Sequence, residues 1–259
     1  MSSRRGAAAV LVLTLGGAAC AGGGCDFAIG RMATEDRPSR TDRRIDEQLT
    51  PSADTPAREG LAAAILIDVS GSMDDVVAGE DDRAERKIDI ARRAARDLVD
   101  QFARYADDHP DEPVLLGLYE FSELSGRADC RPVIPMARPD RAKAASALAS
   151  MNASGGTPIG NAMITAKREL DGTGLTRRHL LVVTDGENTG GYEPERVATA
   201  INRRPEAERP SLYFVAFDIE ASRFRQVRDA GGLVLGAANA KELNATLDSL
   251  LRGQILLEK

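Results

Sequence analysis

The sequence predicts an α/β fold: a mostly parallel central sheet with helices on both faces, three layers in all, and one antiparallel edge strand. Three observations lead there. Residues 61–67 are an unbroken apolar run that starts after Gly60 and ends at Asp68, the pattern of a strand buried on both faces. A second strand pattern, residues 179–184 with an apolar centre at 180–183, ends at Asp185. Around and between them, strand patterns alternate with amphipathic helical ones, which places crossover helices between parallel strands.

Taken in order, residues 1–20 read as a secretory signal. Arg4 and Arg5 supply a positive start, residues 7–15 a short apolar stretch, and small residues lead up to Cys20. The apolar stretch is too short to span a bilayer. Residues 21–59 read as a flexible linker. They hold Gly, Pro, Ser, Thr and charges of both signs, with too little apolar surface to fold alone. Within them, residues 45–49 offer at most a helical turn.

Residues 60–259 form the domain. After the strand at 61–68 comes a helix over 83–105, with Ile88, Ala91, Ala95, Leu98, Phe102 and Tyr105 on one stripe. Strands at 114–121 and 131–136 are close enough to form a hairpin, which makes the second the antiparallel edge. A helix at 139–150 has Pro139 in its first turn. Helix 158–170, strand 179–184, helix 194–203, strand 211–217, helix 221–229, strand 233–235 and helix 241–251 complete the alternation.

Composition narrows the function. Hydrophobic residues are 42% of the 259, enough for a sizeable core, but aromatics are 4% and Trp is absent, so aliphatic side chains must pack it. A net charge of −6 argues against a nucleic-acid binder, which needs a basic face. Three Cys and two His are scant material for a zinc site with three or four such ligands.

The chemistry gathers in three places. Asp68-Val69-Ser70-Gly71-Ser72 lies on the loop leaving the first strand's C-terminal end, where open α/β sheets bind ligands. Thr157 stands in Gly155-Gly156-Thr157-Pro158, and Asp185 in Thr184-Asp185-Gly186. Singly, each residue has an ordinary structural role: Asp caps helices, and Ser occupies turns. Their oxygens are hard donors, suited to Mg²⁺, Mn²⁺ or Ca²⁺.

Together the three segments resemble the metal-ion-dependent adhesion site of the von Willebrand factor type A domain family. That site joins an Asp-x-Ser-x-Ser loop to a Thr and an Asp from two further loops. The resemblance covers residues 60–252. It implies that Asp68, Ser70, Ser72, Thr157 and Asp185 hold a divalent cation, and that a partner protein donates a Glu or Asp carboxylate to it. Charge agrees: Ser70, Ser72 and Thr157 are neutral, so the ion keeps positive charge toward solvent, and Mg²⁺ wants six oxygens. The acidic run Asp74, Asp75, Glu80, Asp81 and Asp82 is either a solvated loop or a rim selecting a basic partner surface.

Cys20, after Gly17-Ala18-Ala19, resembles the lipobox of bacterial lipoproteins, with Gly17 where a large aliphatic residue is usual. This implies a lipid anchor on Cys20 and a place in the bacterial envelope; an ordinary signal cleaved after Ala19 is the alternative. Cys25 and Cys130 either pair or stay free thiols.

Other motifs fail on their residues. A calcium-binding EF-hand loop starting at Asp68 needs Gly and Glu where Met73 and Gly79 stand. Ser70 occupies the place of the second Asp of an aspartyl phosphatase. Neither Ser70 nor Ser154 has the Gly a nucleophile elbow requires, and no Gly-x4-Gly-Lys phosphate loop occurs. His109 and His179 read as solvated or structural. The expectation is therefore a non-enzymatic, metal-dependent protein-binding domain. A metal-dependent hydrolase and a scaffold with a structural metal are the alternatives.

Overall fold

The computed structural model describes residues 38–51, 55–79, 81 and 83–257. A six-stranded sheet runs through the domain in the order β5-β4-β1-β6-β7-β8. Its strands are β1 (Arg58–Asp68), β4 (Val114–Leu124), β5 (Arg127–Ala137), β6 (Leu175–Thr184), β7 (Ser211–Phe217) and β8 (Leu233–Ala237). All neighbours are parallel except β4 and β5, so the expected antiparallel edge is present. The turn joining that pair has Ser125 and Gly126 at φ 53° and 74°. Both residues in the left-handed region is the geometry that closes a two-residue hairpin.

β1 shows why its sequence is unbroken in apolar character. Ala63, Ile65 and Ile67 enter one core and Ala62, Ala64 and Leu66 the other. The first core is closed by α2 (Lys87–Asp108), α3 (Arg141–Leu148) and α7 (Ala240–Leu250). The second is closed by α1 (Arg40–Leu49), α4 (Ile159–Thr173), α5 (Pro194–Asn202) and α6 (Arg225–Asp229). Among the described residues, no helix is long and apolar enough to cross a membrane.

Two expectations change. Residues 38–51 and 55–59 of the expected linker belong to the domain. α1 starts at a capping box formed by Ser39 and Asp42, and Ile45 and Leu49 are fully buried. Two apolar side chains four residues apart cannot fold a helix alone, but they form a stripe that docks on an existing core. α2 also starts at Lys87, not at residue 83. The residues before it form β3 (Ala84–Arg86), paired with β2 (Val76–Ala78) in a small hairpin. Of the acidic run, Asp74 and Asp75 precede this hairpin and Asp81 lies between its strands; Glu80 and Asp82, like Cys20, Cys25 and the rest of residues 1–37, fall outside the described residues.

Candidate metal centre

In strand order 5-4-1-6-7-8, the connections leave β1 toward one edge and β6 toward the other. The crevice between their C-terminal ends is the switch point where such sheets bind ligands. Asp68 ends β1, and Asp185 follows β6 directly.

Asp68 has no exposed surface. One carboxylate oxygen accepts the Ser70 N–H at 2.7 Å, and the other accepts the Thr184 hydroxyl. Burial pushes its carboxyl up to about 7; hydrogen bonds from Thr184 and Ser70 oppose the shift, and the Asp185 charge adds to it. The hydroxyls form a chain. Ser70 Oγ lies 3.1 Å from Ser72 Oγ, and Ser72 Oγ donates to Asp185 Oδ1 at 2.7 Å. Thr157 is buried, and a Cβ on Gly186 would stand 3.4 Å from its Oγ1 and 3.7 Å from Ser72 Oγ. Both hydroxyls therefore face the turn that carries Asp185. All five expected residues meet at one place.

Backbone bonds fix the three loops to one another. Gly71 N–H donates to Gly155 O at 2.9 Å and Ser154 N–H to Val69 O at 2.7 Å, which ties the first loop to the second. Thr157 N–H donates to Thr189 Oγ1 at 2.7 Å and Thr189 N–H to Thr157 O at 3.0 Å, which ties the second to the third. Gly155 has φ +83°, and a Cβ there would meet Glu123 O at 2.1 Å, so this crossing needs glycine.

Three residues of the site escape the sequence reading. Thr184 orients Asp68 from β6. Lys87 and Asp218 form an ionic bridge beside Asp185, with Lys87 Nζ 3.0 Å from Asp185 Oδ2 and 2.9 Å from Asp218 Oδ2. Burial works against the Lys87 cation, but these two partners outweigh it and raise its pKa. An Asp at the end of the next apolar strand, after Phe217, was the available signal for Asp218. Nothing in the stripe of α2 marked Lys87.

Among the described residues, no group of three or more His, Cys, Asp and Glu is placed to hold a metal. The site offers two carboxylates and three hydroxyls instead, a donor set for a hard divalent ion and poor for a thiolate- or imidazole-bound one. His179 is buried in β6 beside Tyr213, whose hydroxyl lies 3.3 Å from Nδ1, and His109 stacks on Tyr105. Cys130 is a free thiol in the described residues, and burial pushes it up to about 12. A cleft of about 1110 Å³, lined by Gly60, Pro113 and Arg177 at the strands' N-terminal ends, lies across the sheet from the site.

A doubly wound sheet with an oxygen-rich site at its switch point defines the class. Residues 63–187 match the family model described as von Willebrand factor type A domain, and the chain carries such a domain. Solved structures share the fold. A von Willebrand factor type A protein from Catenulispora acidiphila is 23% identical with a TM-score of 0.56, over 74% of this chain and 42% of that one. The PilB minor pilin from Streptococcus sanguinis is 12% identical with a TM-score of 0.58, over 79% of this chain and 63% of that one. Proximal thread matrix protein 1 from the mussel byssus, with a zinc-occupied metal-ion-dependent adhesion site, is 16% identical with a TM-score of 0.55, over 76% and 48%. The chain thus spans less than two thirds of each of these proteins. No curated protein matches it.

Proposed function

We propose that this protein binds a partner protein through a divalent cation, and that a lipid on Cys20 tethers it to the bacterial envelope. Von Willebrand factor type A domains often mediate protein–protein interaction. The observation that carries the reading here is the convergence of Asp68, Ser70, Ser72, Thr157 and Asp185 from three loops. The donors are hard oxygens that fit Mg²⁺, Mn²⁺ or Ca²⁺. Asp68 keeps lone pairs beyond the two bonds it accepts, since a carboxylate has about four. An ion held there would supply Lewis acidity. The chain's own residues hold the loops and supply few direct negative charges. A carboxylate from a partner therefore gains a charge-assisted contact that a neutral group cannot match.

Calorimetric titration of the full chain with Mg²⁺ tests the site. We expect one bound ion, with affinity at least tenfold weaker in Asp68→Asn, about 1.4 kcal/mol. Unchanged binding in a folded variant would sink the assignment. Once a partner is captured with Mg²⁺, single Asp→Asn and Glu→Gln changes across its interface should include one that weakens binding tenfold.

A further inference from the structure

We propose that β8 is a self-association edge: two copies of this chain pair their β8 strands antiparallel, about a two-fold axis at Leu235, and join their sheets into one. This stands apart from the metal reading and survives its failure. The edges of the sheet are β5 and β8. An edge offers unpaired N–H and C=O groups to any strand that comes near, and proteins guard edges with prolines, charges and bulges. β5 carries all three: Pro132 and Pro135, the charges of Arg127, Asp129 and Arg131, and register shifts against β4. β8 is Leu-Val-Leu-Gly-Ala, with neither charge nor proline, and it pairs with β7 in unbroken register. Leu233 on it is 40% exposed.

The direction of its backbone groups is fixed. Asp218 N–H donates to Ala237 O at 2.7 Å, so Ala237 turns its polar groups toward β7. Successive residues of a strand point these groups to opposite sides. Leu233 and Leu235 therefore also bond to β7, while Val234 and Gly236 point outward. Among the described residues, the only hydrogen bond these outward groups receive is a long one, from Thr246 Oγ1 to Gly236 O at 3.4 Å. Gly236 is exposed, and its packing does not demand glycine: a Cβ there would meet only Ala221 Cβ, at an ordinary 3.6 Å. A glycine inside a strand often marks a place where another backbone comes close.

A second copy fits these positions. With the strands antiparallel about Leu235, Val234 of each copy lies opposite Gly236 of the other and exchanges both hydrogen bonds with it. The branched side chain then faces an absent one. Leu235 meets its own equivalent, and Leu233 lies opposite Ala237. No like charges meet along the strand. The same patch serves both copies, as a closed two-fold dimer requires.

Sedimentation equilibrium tests this over about a hundredfold range of concentration. The full chain is used with Cys20→Ser and Cys25→Ser, so that neither a lipid nor a tail thiol joins copies. We expect a reversible monomer–dimer equilibrium. Val234→Pro removes only an outward N–H, which an edge strand tolerates, and should weaken the dimer at least tenfold. In the same background, mild oxidation of Leu235→Cys should give a disulfide-linked dimer, since Cα atoms facing at such a pair lie about 4.5 Å apart. Leu233→Cys, which faces Ala237 and not itself, should not. A chain that stays monomeric throughout overturns the proposal, and so does a dimer that folded Val234→Pro weakens by less than tenfold. If circular dichroism shows Val234→Pro unfolded, the cysteine variants decide: cross-linking of Leu235→Cys no faster than that of Leu233→Cys overturns the two-fold.

Discussion

Asp68 is fully buried although it ends a strand at the rim of the sheet. Its carboxylate therefore has a structural role, accepting the Ser70 N–H on one oxygen and the Thr184 hydroxyl on the other. Asp68→Ala leaves the Ser70 N–H without its side-chain acceptor and the Thr184 hydroxyl with only its 3.1 Å bond to Gly186 O, at a cost of about 1–3 kcal/mol for a buried group. Urea unfolding in the absence of metal should show that loss, with Asp68→Asn losing less. His179 gives a pH prediction. Burial, helped by the Arg177 charge, lowers its pKa to about 4, against about 6.5 in the unfolded chain. Between those values the unfolded state binds more protons. The stability is fully present above about pH 6.5 and is lost as pH falls toward 4, by roughly 1.4 kcal/mol per unit at most. Wild type should lose stability relative to His179→Gln over that window. Parallel pH dependence of the two proteins would contradict it.

At the scale of elements, α1 is the least expected piece. Besides burying Ile45 and Leu49, it receives a hydrogen bond from Lys167 Nζ at Leu49 O, 3.1 Å, and sends one from Gln48 Nε2 to Tyr192 OH, 2.8 Å. Tyr192 lies on the loop that follows Asp185, so the helix supports one wall of the site from behind. Leu49→Ala should destabilise the domain by about 2–5 kcal/mol in urea unfolding, as a buried Leu does; a true linker residue would cost nothing measurable. The second loop is equally constrained. Gly155→Ala puts a Cβ against Glu123 O and demands a left-handed Ala. It should lower both the melting temperature and the Mg²⁺ affinity, since Gly155 O also anchors Gly71.

For the molecule as a whole, the testable point is the anchor. Intact mass analysis of protein from membranes should find a mature N-terminus at Cys20 carrying at least two acyl chains, because one chain anchors only marginally. Cys20→Ser should shift the protein from the detergent phase to the aqueous phase. An unmodified N-terminus in soluble material would refute the anchor. The domain has its own core on each face of the sheet, so its folding should not depend on this change.

The sequence by itself determined the sheet, because strands buried on both faces must be apolar throughout, as in residues 61–67, and because such a strand ends where an Asp appears. It also pointed to the five oxygen-bearing residues that the fold brings together, because their resemblance to a known site rests on short motifs beside strand ends. Tertiary structure alone decided the rest. Ile45 and Leu49 become helical only when a finished core receives them. Residues 84–86, inside the helix expected over 83–105 but ahead of its apolar stripe, pair instead with Val76–Ala78. Lys87 meets Asp185 and Asp218 across 98 and 131 residues of chain. No local periodicity encodes a contact between the start of one helix and the ends of two strands; it exists only once the sheet has set β6 beside β7.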